Sequence, residues 1–303
     1  MNKIVGIGAC VMDTLITLPN FPKEDTKLRA TSTVTAGGGP VGTGLVTVSK
    51  LGEKASYIGV LSDDNGGKFL VKDFEKYGVG VNDISIMPNF QSFTSVVWLN
   101  EQKGTRTCVF DKGNLPALVL NESQKEAIAN ADLLMVDGNE LSAAVEGAKF
   151  AHEHGTKVLY DAGGLYDGVE ELLKVTDILI PSFEFSLAHT GCDNAIDAAK
   201  KLYDMYKPEV VVITCGKDGG ILYNGSDVVE YPIYPADVVD SNGAGDVFHG
   251  AFAAGVVKGY DYEKCCHFAS AVSAIKCMNV GARESAPDFE TVKKYMKEYE
   301  YEL

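Results

Sequence analysis

The stretch of this sequence best equipped for chemistry is Asp240-Ser241-Asn242-Gly243-Ala244-Gly245-Asp246. Small residues give way at once to Val247, Phe248, Gly250, Ala251, Phe252, Ala253 and Ala254, a pattern that predicts a glycine turn opening a buried helix. The first N–H groups of a helix lack internal partners and sit at the positive end of its dipole, so such a start attracts anions. Asp246 puts a carboxylate at the same place. Amides of Gly243, Ala244 and Gly245 that stabilise charge on a transferred phosphoryl group, beside an Asp that accepts the proton of an attacking hydroxyl, would suit phosphoryl transfer. The plainer role for Asp246 is to cap the helix.

Other candidate groups are spread along the chain. Residues 4–10 predict a buried first strand, and Asp13 follows just past its carboxyl end, where open α/β sheets gather ligand groups. Gly6 and Gly8 lack the third glycine and the following helix of a dinucleotide fingerprint. Gly37, Gly38 and Gly39 precede a helix running to about Leu51, which Gly52 can end, and they would let backbone approach a substrate closely. After a strand over residues 210–214 comes Thr214-x-Gly216-x-x-Gly219, a loop that could face phosphates or simply turn the chain.

These groups need a frame. Strands near residues 56–60, 133–136, 158–160, 178–180 and 210–214 alternate with helices near 67–77 and 141–154, which argues for a mostly parallel sheet covered on both faces. Two antiparallel pairs, at residues 14–18 with 28–35 and at 93–99 with 105–110, alternate polar and apolar side chains. Their apolar positions, Val97, Trp98, Leu99 and Val109 among them, need a cover: a second subunit, or the rest of the same domain. Hydrophobic residues at 46% and charged residues at 23% are ordinary for a globular chain of 303 residues. With 27 Lys and Arg against 42 Asp and Glu, the net charge of -15 disfavours nucleic acid and anionic membranes as partners. Seven scattered cysteines without a Cys-x-x-Cys pair suit a reduced, cytoplasmic setting, and the apolar start is too short for a membrane span.

The segment from Asp240 to Asp246 resembles the Asp-Thr-x-Gly-Ala-Gly-Asp signature of the ribokinase-like, or PfkB, carbohydrate kinases, with Ser241 in the threonine position. Gly38-Gly39, followed through Lys50-Leu51-Gly52, is similar to the family's N-terminal signature, and Gly281-Ala282-Arg283-Glu284-Ser285-Ala286-Pro287 to its C-terminal one. The resemblance covers the chain and implies a three-layer α/β/α fold. A small β-sheet lid, inserted at about residues 14–35 and 92–111, would close the sugar site and often pairs two subunits.

It also implies roles. Asp246 would be the base, the amides of Gly243, Ala244 and Gly245 the anion hole, and Asp13, Gly38 and Gly39 the sugar clamp. Pro40 and Thr43 stand where the family commonly has asparagines, and Lys27 on the lid could meet an anionic substituent. Thr214, Gly216 and Gly219 would face ATP, and residues 262–278 would pack Phe268, Ala271, Val272, Ala274 and Ile275 beside the adenine. Ser182 and Phe185 occupy the places of the family's Asn-x-x-Glu, so Glu184 is left either to organise Mg²⁺ through water or to serve as a helix-start carboxylate. Asp240, Asn242, Gly281 and Ser285 match loops that hold a monovalent cation, implying activation by K⁺. Gly-Gly-Gly-Pro and Asp246-Val247-Phe248-His249-Gly250 lean toward the ketohexokinase and sulfofructose kinase branch. The expectation is a kinase acting on a primary hydroxyl of a ketohexose or related sugar. A nucleoside or sugar-phosphate kinase and a degenerate sugar sensor are the alternatives.

Overall fold

In a computed structural model describing residues 3–103, 105–301 and 303, the strands are β1 (Lys3–Ile7), β2 (Val11–Leu18), β3 (Ser32–Gly38), β4 (Lys54–Ser62), β5 (Ile84–Met87), β6 (Thr94–Asn100), β7 (Thr105–Asp111), β8 (Leu133–Asp137), β9 (Lys157–Ala162), β10 (Ile178–Pro181), β11 (Val210–Thr214), β12 (Gly220–Tyr223) and β13 (Val228–Tyr231). The helices are α1 (Pro40–Lys50), α2 (Asn65–Lys76), α3 (Glu122–Ala129), α4 (Leu141–Glu153), α5 (Val169–Leu173), α6 (Phe183–Thr190), α7 (Ala195–Tyr206), α8 (Ala244–Val257), α9 (Tyr262–Cys277), α10 (Ala282–Ser285) and α11 (Phe289–Glu298).

Nine strands form one sheet in the order β13-β12-β11-β10-β9-β8-β1-β4-β5. It is parallel from β5 to β11 and ends in an antiparallel hairpin of β12 and β13. The near-continuous apolar runs follow from burial on both faces, because successive side chains point opposite ways. Ile4, Leu133, Met135, Leu159, Ile178 and Val210 pack with α1, α2, α8, α9 and α11. Their neighbours Val5, Leu134, Val136, Val158, Leu179 and Val211 pack with α3, α4, α6 and α7 on the other side. Each such fully buried aliphatic side chain contributes roughly 1.5–3 kcal/mol by leaving water. This is the three-layer α/β/α arrangement the strand and helix alternation implies.

A second, four-stranded sheet has the order β3-β2-β6-β7, with β2 and β6 parallel and the outer pairs antiparallel. In the first pair β2 starts three residues earlier than the alternation suggests and β3 starts and ends later, since residues 19–31 contain Pro19, Pro22 and a charged run and form no strand. Asp13 therefore lies on β2 and not in a turn past β1. In register, Asp13 opposes Ala36 and Ser95, Leu15 opposes Val34 and Val97, and Leu99 opposes Arg106, so these residues share one face. Leu15, Ala36 and Val97 make a small buried cluster there. Val97, expected to await a cover, is thus covered by its own chain, whereas Val96 and Val109 on the opposite face are exposed.

Candidate functional site

The glycine turn does open α8, as the pattern of small residues suggests. Gly243 is its N-cap with φ 74°, a left-handed conformation that disfavours any side chain. A Cβ there would also stand 2.4 Å from Cβ of Ala282, so two reasons demand glycine. The Ala244 amide bonds the Ser241 carbonyl at 3.2 Å and is not free as expected, because the turn closes on it. Among the described residues the amides of Gly243, Gly245 and Asp246 make no hydrogen bond, so the unpaired donors lie closer to Asp246 than the sequence suggested. A second helix braces the turn from behind: Ser273 Oγ on α9 donates to the Ala244 carbonyl at 2.9 Å.

Asp246 is partly exposed at this mouth, near carboxylates that end two central strands. Burial first, then Asp161 and Asp137, push its carboxyl up to about 7, while His249 and the Arg106 guanidinium pull the other way. Asp137, at the end of β8, accepts the Ala9 amide at 2.8 Å and the Asn139 amide at 2.9 Å, so it holds the backbone after β1. Asp161, on β9, stands 3.2 Å from His249 Nδ1. The ring of His249, one turn behind Asp246, meets the Gly245 carbonyl at 2.6 Å and the Ile180 carbonyl at 3.0 Å. Burial pushes this ring's pKa down and Asp161's up, but two carbonyl acceptors each require a donor. Held between these two carbonyls, the ring ties the first turn of α8 to the end of β10.

On the small sheet, Asp13 Oδ1 accepts Ser95 Oγ at 2.6 Å. Burial raises its carboxyl pKa, opposed by that hydrogen bond and by Arg283. A Cβ on Gly38 would lie 2.0 Å from Asp13 Oδ2, so the glycine is what lets carboxylate and turn share the space. Arg283, fully buried, ties the turn in place, donating to the Gly38 carbonyl and to Asp73 Oδ2, each at 2.6 Å. Thr43, expected at the sugar, is fully buried with its hydroxyl unpartnered, because α1 lies flush against α8, with Gly44 backbone meeting Gly250. Lys27 is exposed and makes no hydrogen bond or ion pair among the described residues.

A cavity of about 490 Å³ opens beside the α8 mouth, lined by Thr214, Gly216, Lys217, Gly219, Tyr234 and Gly245 among others. Its α9 wall is Ser270, Ser273, Ala274 and Cys277, an i, i+3, i+4, i+7 stripe. Of the residues expected against an adenine only Ala274 lines it; Phe268, Ala271 and Val272 face the core one step round the helix. Ser182 caps α6 by accepting the Phe185 amide and bridges to Thr214, and Glu184 is exposed on that helix's first turn. A second cavity, of about 280 Å³, joins Thr17, Leu99 and Arg106 of the small sheet to Val239, Asp240 and Ser241.

The loops matched to a monovalent cation are already closed by protein donors. Asp240 Oδ1 accepts the Asn242 amide at 2.8 Å and Oδ2 the Gly281 amide at 2.9 Å. Ser285 Oγ donates to the Val280 carbonyl at 2.7 Å. Lys276, which sequence reasoning passed over, is fully buried and donates to the Asp240 carbonyl at 2.6 Å. Asp137, Asp161 and His249 were also missed as site residues. A carboxylate ending each of the apolar runs Leu133–Asp137 and Lys157–Ala162 was the available signal for the first two.

The sequence model of the pfkB family carbohydrate kinases matches residues 1–288. The chain is 28% identical over 292 residues to a ribokinase of Bacillus subtilis, covering 95% of this chain and 97% of that one. It is 24% identical to the ketohexokinase of Mus musculus over 293 residues, covering 91% and 96%. The structure of Arabidopsis thaliana ribokinase complexed with ribose and ATP superposes with a TM-score of 0.87 at 26% identity, covering 98% of this chain and 99% of that one. With signatures, fold and family match in agreement over nearly its whole length, this chain belongs to the PfkB family of ribokinase-like carbohydrate kinases.

Proposed function

We propose that the protein transfers the γ-phosphoryl group of ATP to a primary hydroxyl of a ketohexose or a related sugar. The observation that carries this is the shared mouth of α8, where unpartnered amides of Gly243, Gly245 and Asp246 border a carboxylate whose pKa is pushed up to about 7. A base poised near neutral pH is ionised in about half of the molecules at pH 7 and is still basic enough to take a hydroxyl proton. The amides would stabilise the charge on the transferred group.

In this reading the 490 Å³ cavity takes the nucleotide, with Thr214, Gly216 and Gly219 on its phosphates and ribose. Asp13, Gly38 and Gly39 hold the sugar hydroxyls. Mg²⁺ arrives largely coordinated by ATP phosphates, since no group of three or more His, Cys, Asp or Glu among the described residues could hold a metal. The exposed Glu184 carboxylate is the side chain that would steady it through water. The small sheet closes as a lid, with Arg106 brought over the phosphoryl group and Lys27 available to an anionic substituent. Exposed Val96 and Val109, paired on the outer face of the small sheet, would be covered by the lid of a second copy. No helix among the described residues is long and apolar enough to cross a membrane.

An ADP-release assay across ketohexoses, aldoses, nucleosides and sugar phosphates tests this reading. A ketohexose or close relative should give the highest kcat/KM, with little ADP released when sugar is omitted. Preference for a nucleoside would overturn the substrate class, and no acceptor-dependent release would overturn the kinase reading for the sensor alternative.

A further inference from the structure

The turn that opens the anion hole is held from α9 by two side chains one turn apart. Ser273 bonds the Ala244 carbonyl, and Lys276 bonds the Asp240 carbonyl at 2.6 Å with its ammonium 3.7 Å from Asp240 Oδ2. Lys276 is 0% exposed and Asp240 7%, so this is a built ion pair inside the protein and not a surface contact. A buried ammonium without a counter-charge would be very costly, and Asp240 is the anion that offsets it.

The Asp240 and Val280 oxygens that would face a free cation already accept protein donors, one of them an ammonium. Both Asp240 carboxylate oxygens accept backbone amides, its carbonyl accepts Lys276, and the Val280 carbonyl accepts Ser285. A second cation bound to Asp240 would also stand within a few ångström of a buried like charge, where low dielectric makes repulsion strong. The residues present therefore do not fit an exchangeable K⁺.

We propose that the Lys276 ammonium is the resident cation of the Asp240 to Ala244 turn, built into the chain in place of a bound monovalent ion, so that the anion hole is held open without K⁺. The proposal rests on the kinase reading of that site, but the geometry it explains, a turn pinned by an internal charge, does not. Lys276 is a positioning residue: it touches the backbone that presents the amides and not the reacting atoms.

The test is a KCl titration at constant ionic strength, with tetramethylammonium chloride as the balancing salt, of the wild type and Lys276→Ala. Sugar-dependent ADP release and the thermal unfolding midpoint are both read. Wild-type turnover should change less than twofold and its midpoint not at all. Lys276→Ala should lose at least tenfold in kcat and have a lower midpoint, and KCl or NH₄Cl should restore a large part of both, filling the space the side chain left. A tenfold activation of the wild type by KCl would overturn the proposal, as would an unimpaired Lys276→Ala or a loss that neither salt repairs. If Lys276→Ala does not fold in either salt, the wild-type titration decides alone. If no acceptor is phosphorylated, the kinase reading fails while the unfolding midpoints still decide whether Lys276 replaces the ion.

Discussion

Replacing Asp246 by asparagine should disable the enzyme and stabilise its fold. The carboxyl is pushed from 3.8 to about 7, chiefly by burial and by Asp161. At 1.36 kcal/mol per unit, a displacement of about 3 units corresponds to roughly 4 kcal/mol of destabilisation while the group is ionised. Water at the partly exposed mouth screens part of this, and asparagine gives up about 0.5 kcal/mol of interaction with the helix dipole, leaving about 2 kcal/mol. For 303 residues, at an unfolding entropy of about 2.1 cal/mol/K per residue, that is a rise in Tm of about 3 °C. The sign follows from the raised folded pKa: the wild type is least penalised below the unfolded value of 3.8 and loses stability as pH rises toward about 7. The gain should therefore be full at pH 8 and vanish near pH 4. Calorimetry at both pH values, with kcat measured on the same samples, checks it; kcat should fall roughly 10²- to 10⁴-fold. A variant that melts lower at pH 8, gains equally at both pH values, or keeps near wild-type turnover would refute the reasoning.

Wild-type kcat/KM should fall on the acid side with an apparent pKa near 7, since protonated Asp246 cannot accept a proton; a profile flat down to pH 5 would remove it as the base. Asp13→Asn should raise the sugar KM by roughly 10- to 100-fold, the size of a lost charge-assisted hydrogen bond, and leave the ATP KM within twofold. Arg106→Ala should lower kcat more than either KM, because on the proposed lid closure its guanidinium would act on the phosphoryl group near Asp246; steady-state kinetics in both substrates separates these. Gly243→Ala should cost more than about 2 kcal/mol in denaturant unfolding, combining left-handed strain with a Cβ 2.4 Å from Ala282 Cβ.

Much of the frame was legible because its physics is local. An apolar run with β-branched residues buried on both faces reads as a parallel strand wherever it lies, and β11 was located to the residue. The glycine turn into α8 was equally plain, since only small residues permit that backbone. Side-chain direction on a helix was harder. Residues 262–278 were read as one helix, but which stripe would face the cavity depends on where α9 packs, so of the residues expected beside an adenine Ala274 lines the cavity whereas Phe268 packs in the core. Thr43 failed for the same reason: its position on α1 is local, whereas its enclosure is set by the close contact of Gly44 with Gly250 on α8.

By itself the sequence determined the layered fold, the glycine turn that opens α8 and Asp246 as the carboxylate in its first turn. Only the tertiary structure decided the electrostatics around that carboxylate. Asp137, Asp161, His249, Arg106 and Lys276 come from a strand end, a neighbouring strand, α8 itself, the small sheet and α9. Apart from His249, one turn along α8, their charges act over distances through space that have no counterpart along the chain, and a buried charge takes its meaning from whichever partner the fold brings beside it.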